Sequence, residues 1–225
     1  MNIVVVAGGG QPDPRTLKAA CEHADCVMAA DSGATCLHAW GLRIDVLLGD
    51  FDSLAPDILA ALQANGHTRW VRHRVDKDQT DLELCVEEAF RLGVTEARFF
   101  GALGTRMDHT LANLSLLYPF VMAGIPAWVE DGHNRVTLMA ATKKPGETGH
   151  APKARMRLAR QEGFKVSLVS LPPGVCAVET TGLRYDMAGR DLPFGSTLAV
   201  SNEFDAPEAE ISFSEGMAWL LLSRD

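Results

Sequence analysis

Apolar residues along this chain change their spacing once, and that change divides it in two. Up to about Pro126, short continuous apolar runs alternate with stretches whose apolar positions recur every three to four residues, the signature of strands alternating with helices. Ile3–Ala7 is a β-branched run that halts at Gly8-Gly9-Gly10, as expected of a central parallel strand entering a glycine loop. Asp13 is placed to cap, and Pro14 to open, a helix carrying Leu17, Ala20 and Cys21. Cys26–Ala30 and Val46–Leu48 repeat the strand signal, with a helix through Leu37 and Trp40 between them. Pro56–Leu62 begins a further helix, and Trp70 and Val71 mark the next strand. Leu82, Cys85, Val86 and Ala89 form one apolar helical face. Ala97–Phe100 is another strand, followed by one long expected helix through Leu111, Leu114, Leu117, Tyr118 and Val121 that ends at Gly124 and Pro126.

From about Ala127 the helical period gives way to short alternating segments, Arg135–Met139, Lys165–Leu171, Thr197–Val200 and Glu210–Phe213, which predict antiparallel strands. Thr142–Ala154, rich in Lys, Gly and Pro, reads as a hairpin or loop. The expected fold class is therefore α/β plus all-β. Residues 1–126 should form a Rossmann-like parallel sheet with helices, and residues 127–225 an antiparallel β-sandwich.

Composition narrows the function classes. At 225 residues the chain can bury a substantial core, and a formal net charge of -8 argues against a broad nucleic-acid surface. Cys21, Cys26, Cys36, Cys85 and Cys176 fit neither a zinc motif nor a disulfide framework and read as core thiols of a reducing compartment. The opening Met1–Gly8 lacks a basic segment and a long apolar run, so a cytoplasmic protein without a membrane span is expected.

The candidate chemistry is acidic. Asp31, the pair Asp50 and Asp52, Asp78 with Asp81, and Asp108 each follow a predicted strand, and the carboxyl ends of parallel strands share one edge. Carboxylates gathered there without a His or Cys cluster suit Mg²⁺ together with a substrate phosphate. Lys77 and Arg106, in the same loops, are placed to offset phosphate charge, and His109 to donate to it. The glycines at 8–10 match neither a dinucleotide fingerprint nor a P-loop, so a tight turn and a phosphate contact both stand. A serine nucleophile, Ser32 or Ser53 with His109, is disfavoured because no G-x-S-x-G elbow is present and the surrounding carboxylates would oppose an oxyanion.

Asp31-Ser32-Gly33-Ala34, Gly49-Asp50-Phe51-Asp52-Ser53, Lys77-Asp78-Gln79-Thr80-Asp81 and Gly101–Asp108 with Asn113 resemble, in order and spacing, the thiamine pyrophosphokinases. Thr180–Tyr185 and Ser201-Asn202 continue the resemblance through the second half. It implies a homodimeric, Mg²⁺-dependent enzyme that moves a diphosphate from ATP to the hydroxyl of thiamine and releases AMP, with the active site at the subunit interface. By position it implies Asp50, Asp52 and Asp81 as metal ligands. Asp31, Ser32, Gly33, Lys77, Thr80, Gly101, Gly104, Arg106, Asp108 and His109 fall on the nucleotide side. Asp78, Thr181, Ser201, Asn202 and Trp219 fall on the thiamine side, with Asp78 as the candidate base and Arg106 aimed at the transferred group. Ser32 and Thr105 depart from glycines common in the family. Another diphosphokinase, acting on a hydroxymethyl pterin, and a nucleotide-sensing module without turnover are the alternatives. The second-half motifs oppose the first, and the intact carboxylates and basic pair oppose the second.

Overall fold

The computed structural model describes residues 1–73, 78–141 and 152–225. The chain divides into two compact units, Met1–Phe120 with Gly124–Gly132, and Val121–Ala123 with His133–Asp225.

The first unit contains strands β1 (Asn2–Val6), β2 (Cys26–Ala30), β3 (Val46–Gly49), β4 (Arg69–Arg72), β5 (Glu96–Phe100) and β6 (Ala127–Glu130). They pair in parallel in the order β4-β3-β2-β1-β5-β6. From β1 the chain steps outward to β4 on one side and then returns to build β5 and β6 on the other. The direction of winding reverses between β1 and β5, the place where sheets of this kind form a ligand crevice beyond the carboxyl ends of their strands.

Helices α1 (Pro14–His23), α2 (Gly33–Ala39) and α3 (Pro56–Asn65) contribute Leu17, Ala20, Ala34, Leu37, Ile58 and Leu62 to a core with Val4, Val6, Val27, Ala29 and Leu47. Helix α1 starts where the capping signal placed it, with the Asp13 side chain accepting from the Thr16 N–H at 2.8 Å. Helix α4 (Asp81–Arg91) buries Leu82, Cys85, Val86 and Ala89 and packs against β1, β2 and β3. Its buried Glu88 holds both Arg91, at 2.6 Å, and Arg69 of β4, tying the helix to the sheet edge.

Three sequence expectations are corrected here. The long helix is two, α5 (Met107–Ser115) and α6 (Tyr118–Ala123), because Pro119 has no N–H for the Ser115 carbonyl and its ring would clash there. The unit boundary falls at Gly132/His133 and not at Pro126/Ala127, because Ala127–Glu130 pairs in parallel with β5. Thr197–Val200 is a turn in which the Val200 N–H donates to the Thr197 carbonyl, and Ala199 gives its carbonyl to Leu168.

The second unit comprises β7 (Asn134–Ala141), β8 (Ala154–Ala159), β9 (Lys165–Thr181), β10 (Arg190–Pro193), β11 (Glu208–Phe213) and β12 (Glu215–Ser223), all antiparallel. Strand β9 pairs with β12 through Lys165–Ser170, then reaches β11 through Glu179–Thr181, so one strand serves both layers. Leu168, Val178, Ile211, Phe213, Leu220 and Leu222 alternate inward to form the core. The alternation that predicted strands is thus the pattern of a sandwich filled from both layers. No helix among the described residues is long and apolar enough to cross a membrane.

Candidate active site

The acidic loops are shaped by backbone before charge enters. Asp31 leaves β2 in the left-handed region, φ 44°, with its N–H donating to the Leu48 carbonyl at 2.8 Å. That bond fixes the end of β2 against the end of β3. Gly49 (φ 144°) permits the approach, since a Cβ there would lie 3.1 Å from Asp31 Cβ. Phe51, also left-handed at φ 71°, turns its buried ring edge-on to Trp70 at 5.2 Å and anchors the loop between the two aspartates.

The result is a group in which Asp31, Asp50 and Asp52 each present a carboxylate oxygen within 4.8 Å of the others. The Asp52 N–H donates to Asp50 Oδ1 at 3.1 Å, and the Ser53 hydroxyl donates to Asp31 Oδ2. Asp52 has its carboxyl pushed above the usual carboxylate range, first by a hydrogen bond shared with Asp50, then by the Asp50 charge, with smaller repulsion from Asp31 and Asp81. Asp31 Oδ1 is buried without a hydrogen-bond donor. Like charges this close, with a buried acceptor unsatisfied, call for a cation.

Beside this group lies a cavity of about 520 Å³ at the β1/β5 crevice. Gly8–Gly10, Ala102, Gly104, Thr105 and Arg106 line it. Asp31, Ser32, Thr80, Asp81, His109 and Asn113 also line it. The glycine loop resolves as a tight turn: the Gly9 N–H donates to the Gly101 carbonyl at 2.8 Å and the Gly10 N–H to the Leu103 carbonyl at 2.6 Å, so neither is spare for a phosphate. A Cβ on Gly9 would lie 2.3 Å from the Gly101 oxygen, which is why the two loops need glycine to close on each other. Ser32 packs on Gly8 in the same manner, and Gly33 lies against the Val6 carbonyl.

Thr80 caps α4, its hydroxyl accepting from the Glu83 N–H at 3.2 Å, and this sets Asp81 as the first helical residue facing the cavity. On the β5 side, Thr110 accepts from the Gly104 N–H at 3.1 Å and Asn113 donates to the Ala102 carbonyl at 2.8 Å, holding the loop that carries Arg106. Arg106 grips Asp108 through two hydrogen bonds, 2.6 and 3.2 Å, and draws its carboxyl down to about 2. Both side chains are largely exposed.

The sequence-predicted residues divide accordingly. Asp31, Asp50 and Asp52 come together as one group, and Asp81 faces the cavity near enough to raise Asp52. The expected convergence of Asp31 with Asp50 and Asp52 is present, through the adjacency of β2 and β3; the resemblance had put Asp31 on the nucleotide side and Asp81 among the metal ligands, a division that local spacing does not decide. Asp78 is exposed, and Lys77 lies outside the described residues. The contributions of Thr110 and Ser53 were missed; the helix start after Arg106 and the turn after Asp52 were the available signals.

In the second unit, Asn202 is buried with its amide spent on the Tyr185 backbone, Nδ2 donating to the carbonyl at 2.7 Å and Oδ1 accepting the N–H at 3.0 Å. Its evident task is to fasten the Thr181–Tyr185 loop. Ser201 is exposed at φ 61° with its N–H on Ser167 Oγ, and Thr181 is exposed at the end of β9. Trp219 is half-buried and alternates with core Ala218 and Leu220, so it projects from the opposite face of the sheet.

Comparison with known proteins agrees with both units. Residues 17–129 match the family described as thiamin pyrophosphokinase, catalytic domain, and residues 154–218 match thiamin pyrophosphokinase, vitamin B1 binding domain. A thiamine pyrophosphokinase of Bacillus subtilis is 26% identical over 223 residues, covering 99% of each chain. A crystal structure of thiamine pyrophosphokinase from Bacillus subtilis superposes with a TM-score of 0.87 at 25% identity, covering 100% of both chains. One from Geobacillus thermodenitrificans gives 0.82 at 27%, covering 100% of this chain and 98% of that one. With the catalytic-domain match spanning half the chain and the vitamin-binding match following it in order, this protein belongs to the thiamin pyrophosphokinase family.

Proposed function

We propose that this protein transfers a diphosphate from ATP to the hydroxyl of thiamine, giving thiamine diphosphate and AMP. The observation that carries the reading is Asp31, which belongs both to the three-carboxylate group and to the wall of the cavity, joining a cation site to a nucleotide-sized space.

The donor set fits Mg²⁺, being all oxygen with one buried oxygen unsatisfied. Asp50, Asp52 and Asp31 would hold it, with Asp81 facing the same space. Bound there, the ion would neutralise charge on the triphosphate and favour in-line attack at the β-phosphorus. The chain's own groups do the rest. Gly8–Gly10 and the Gly101–Arg106 loop, bonded to one another, form rigid walls that orient the nucleotide. Arg106 exchanges its carboxylate partner Asp108 for the transferred group, while Lys77 and His109 offset the remaining charge. Asp78, exposed just before the Thr80 cap, takes the hydroxyl proton.

Thiamine needs flat apolar surface for its rings, which the acidic loops lack. Trp219, half-buried on β12, offers an aromatic face in the second unit, and exposed Ser201 and Thr181 offer hydrogen-bonding groups there. The site would be completed by the second unit of a partner subunit in a homodimer. Two uncovered apolar surfaces support this: Met107 and Leu111 on α5, 62% and 59% exposed, and Phe194 and Leu198 in the second unit, 59% and 57% exposed.

Omission assays test the reading. AMP should accumulate only when ATP, thiamine and Mg²⁺ are all present, and should cease with EDTA. AMP formed equally well with a hydroxymethyl pterin in place of thiamine would assign a different acceptor.

A further inference from the structure

We propose that Ser53 is a positioning residue: its hydroxyl clamps Asp31 so that the Asp31 carboxylate stays turned toward Asp50 and Asp52 and completes the cation site. This rests on the reading above that the three carboxylates take a divalent cation.

The backbone of Asp31 is already fixed, left-handed at φ 44° and bonded to Leu48, with its Cβ against Gly49. Its remaining freedom is rotation of the carboxylate. Repulsion from Asp50 and Asp52 acts to swing that group away, most strongly before a cation arrives. The Ser53 hydroxyl donates to Oδ2 and opposes the swing, leaving Oδ1 buried with no donor of its own. An oxygen in that state costs free energy until a partner arrives, so the clamp prepares an acceptor for a ligand. Ser53 also follows Asp52 directly, on a loop 22 residues from Asp31. One short segment therefore carries two of the carboxylates and the device that holds the third. A serine that served only to shape the β3–α3 turn would bond within its own loop, whereas this hydroxyl reaches across to the loop after β2.

The test measures Mn²⁺ binding to the full chain without ATP or thiamine, from the electron paramagnetic resonance signal of the free ion. Ser53→Ala should bind Mn²⁺ about tenfold more weakly, the lower end of what loss of a ligand-orienting partner costs. In assays its apparent Mg²⁺ requirement should rise in step while kcat at saturating Mg²⁺ changes little. Ser53→Thr should retain near wild-type affinity, and Ser53→Val, the same shape without the hydroxyl, should not. That pair keeps the question open to an answer if alanine disturbs folding. Asp31→Asn combined with Ser53→Ala should be no weaker than Asp31→Asn alone, because the serine acts through the aspartate. Wild-type affinity in Ser53→Val, or additive losses in the double variant, would overturn the clamp. A wild-type chain that binds no Mn²⁺ would overturn the cation reading together with it.

Discussion

Asp52, one of the proposed cation ligands, works against the fold as an anion. Its carboxyl is raised by Asp50, so as an anion it opposes folding above the unfolded value near 3.8, and that cost disappears as pH falls below it. Asp52→Asn should therefore melt at or above the wild-type temperature in metal-free buffer, yet lose about a hundredfold or more in turnover. A calorimetric scan with EDTA beside a steady-state assay checks both halves. Asp108 has the opposite sign: Arg106 holds its carboxyl down at about 2, so their contribution is present above 3.8 and lost as pH falls toward 2. Gly8 and Ser32 make a sterically coupled pair. A Cβ on Gly8 would lie 1.7 Å from Ser32 Oγ, so Gly8→Ala should weaken ATP binding, and Ser32→Gly in the same chain should restore it. Isothermal titration with ATP distinguishes rescue from additive damage.

At the scale of elements, legibility followed how local the determining force is. Cys26–Ala30 and the Asp13-Pro14 helix start were readable because burial on both faces and a capping side chain leave marks within a few residues. The break between α5 and α6 was marked by Pro119 but masked by the apolar period running through it. Thr197–Val200 alternates like a strand, yet its polar groups are used by a turn and by β9. Asn202 was placed on the thiamine side by its motif position; the fold also uses its amide to hold the Tyr185 backbone, a partner 17 residues away that no spacing rule announces. Glu88 is a comparable nonlocal tie. Arg91 and Arg69 hold its carboxyl below the usual range, so the tie is intact above about pH 4.5 and lost as pH falls through the lowered value. Both arginines remain water-accessible, so Glu88→Ala should cost only about 1–2 kcal/mol, read as a lower urea midpoint with unchanged m.

For the whole molecule, the phosphates belong in the proposed arrangement to one unit and thiamine to the second unit of a partner. Inactive Asp52→Asn and Trp219→Ala subunits, mixed and exchanged, should then regain about a quarter of wild-type activity, since half the dimers are hybrids and each hybrid holds one intact composite site. Native mass spectrometry confirms that hybrids formed; their inactivity would place the whole site in one chain. In the proposed reaction two phosphorus atoms move together. ATP labelled separately at the β- and γ-phosphates, reacted with thiamine and Mg²⁺ and followed by phosphorus NMR, tests it most directly. Both labels should appear in thiamine diphosphate, leaving an unlabelled AMP. Label from the γ-position alone, with ADP as the co-product, would contradict it.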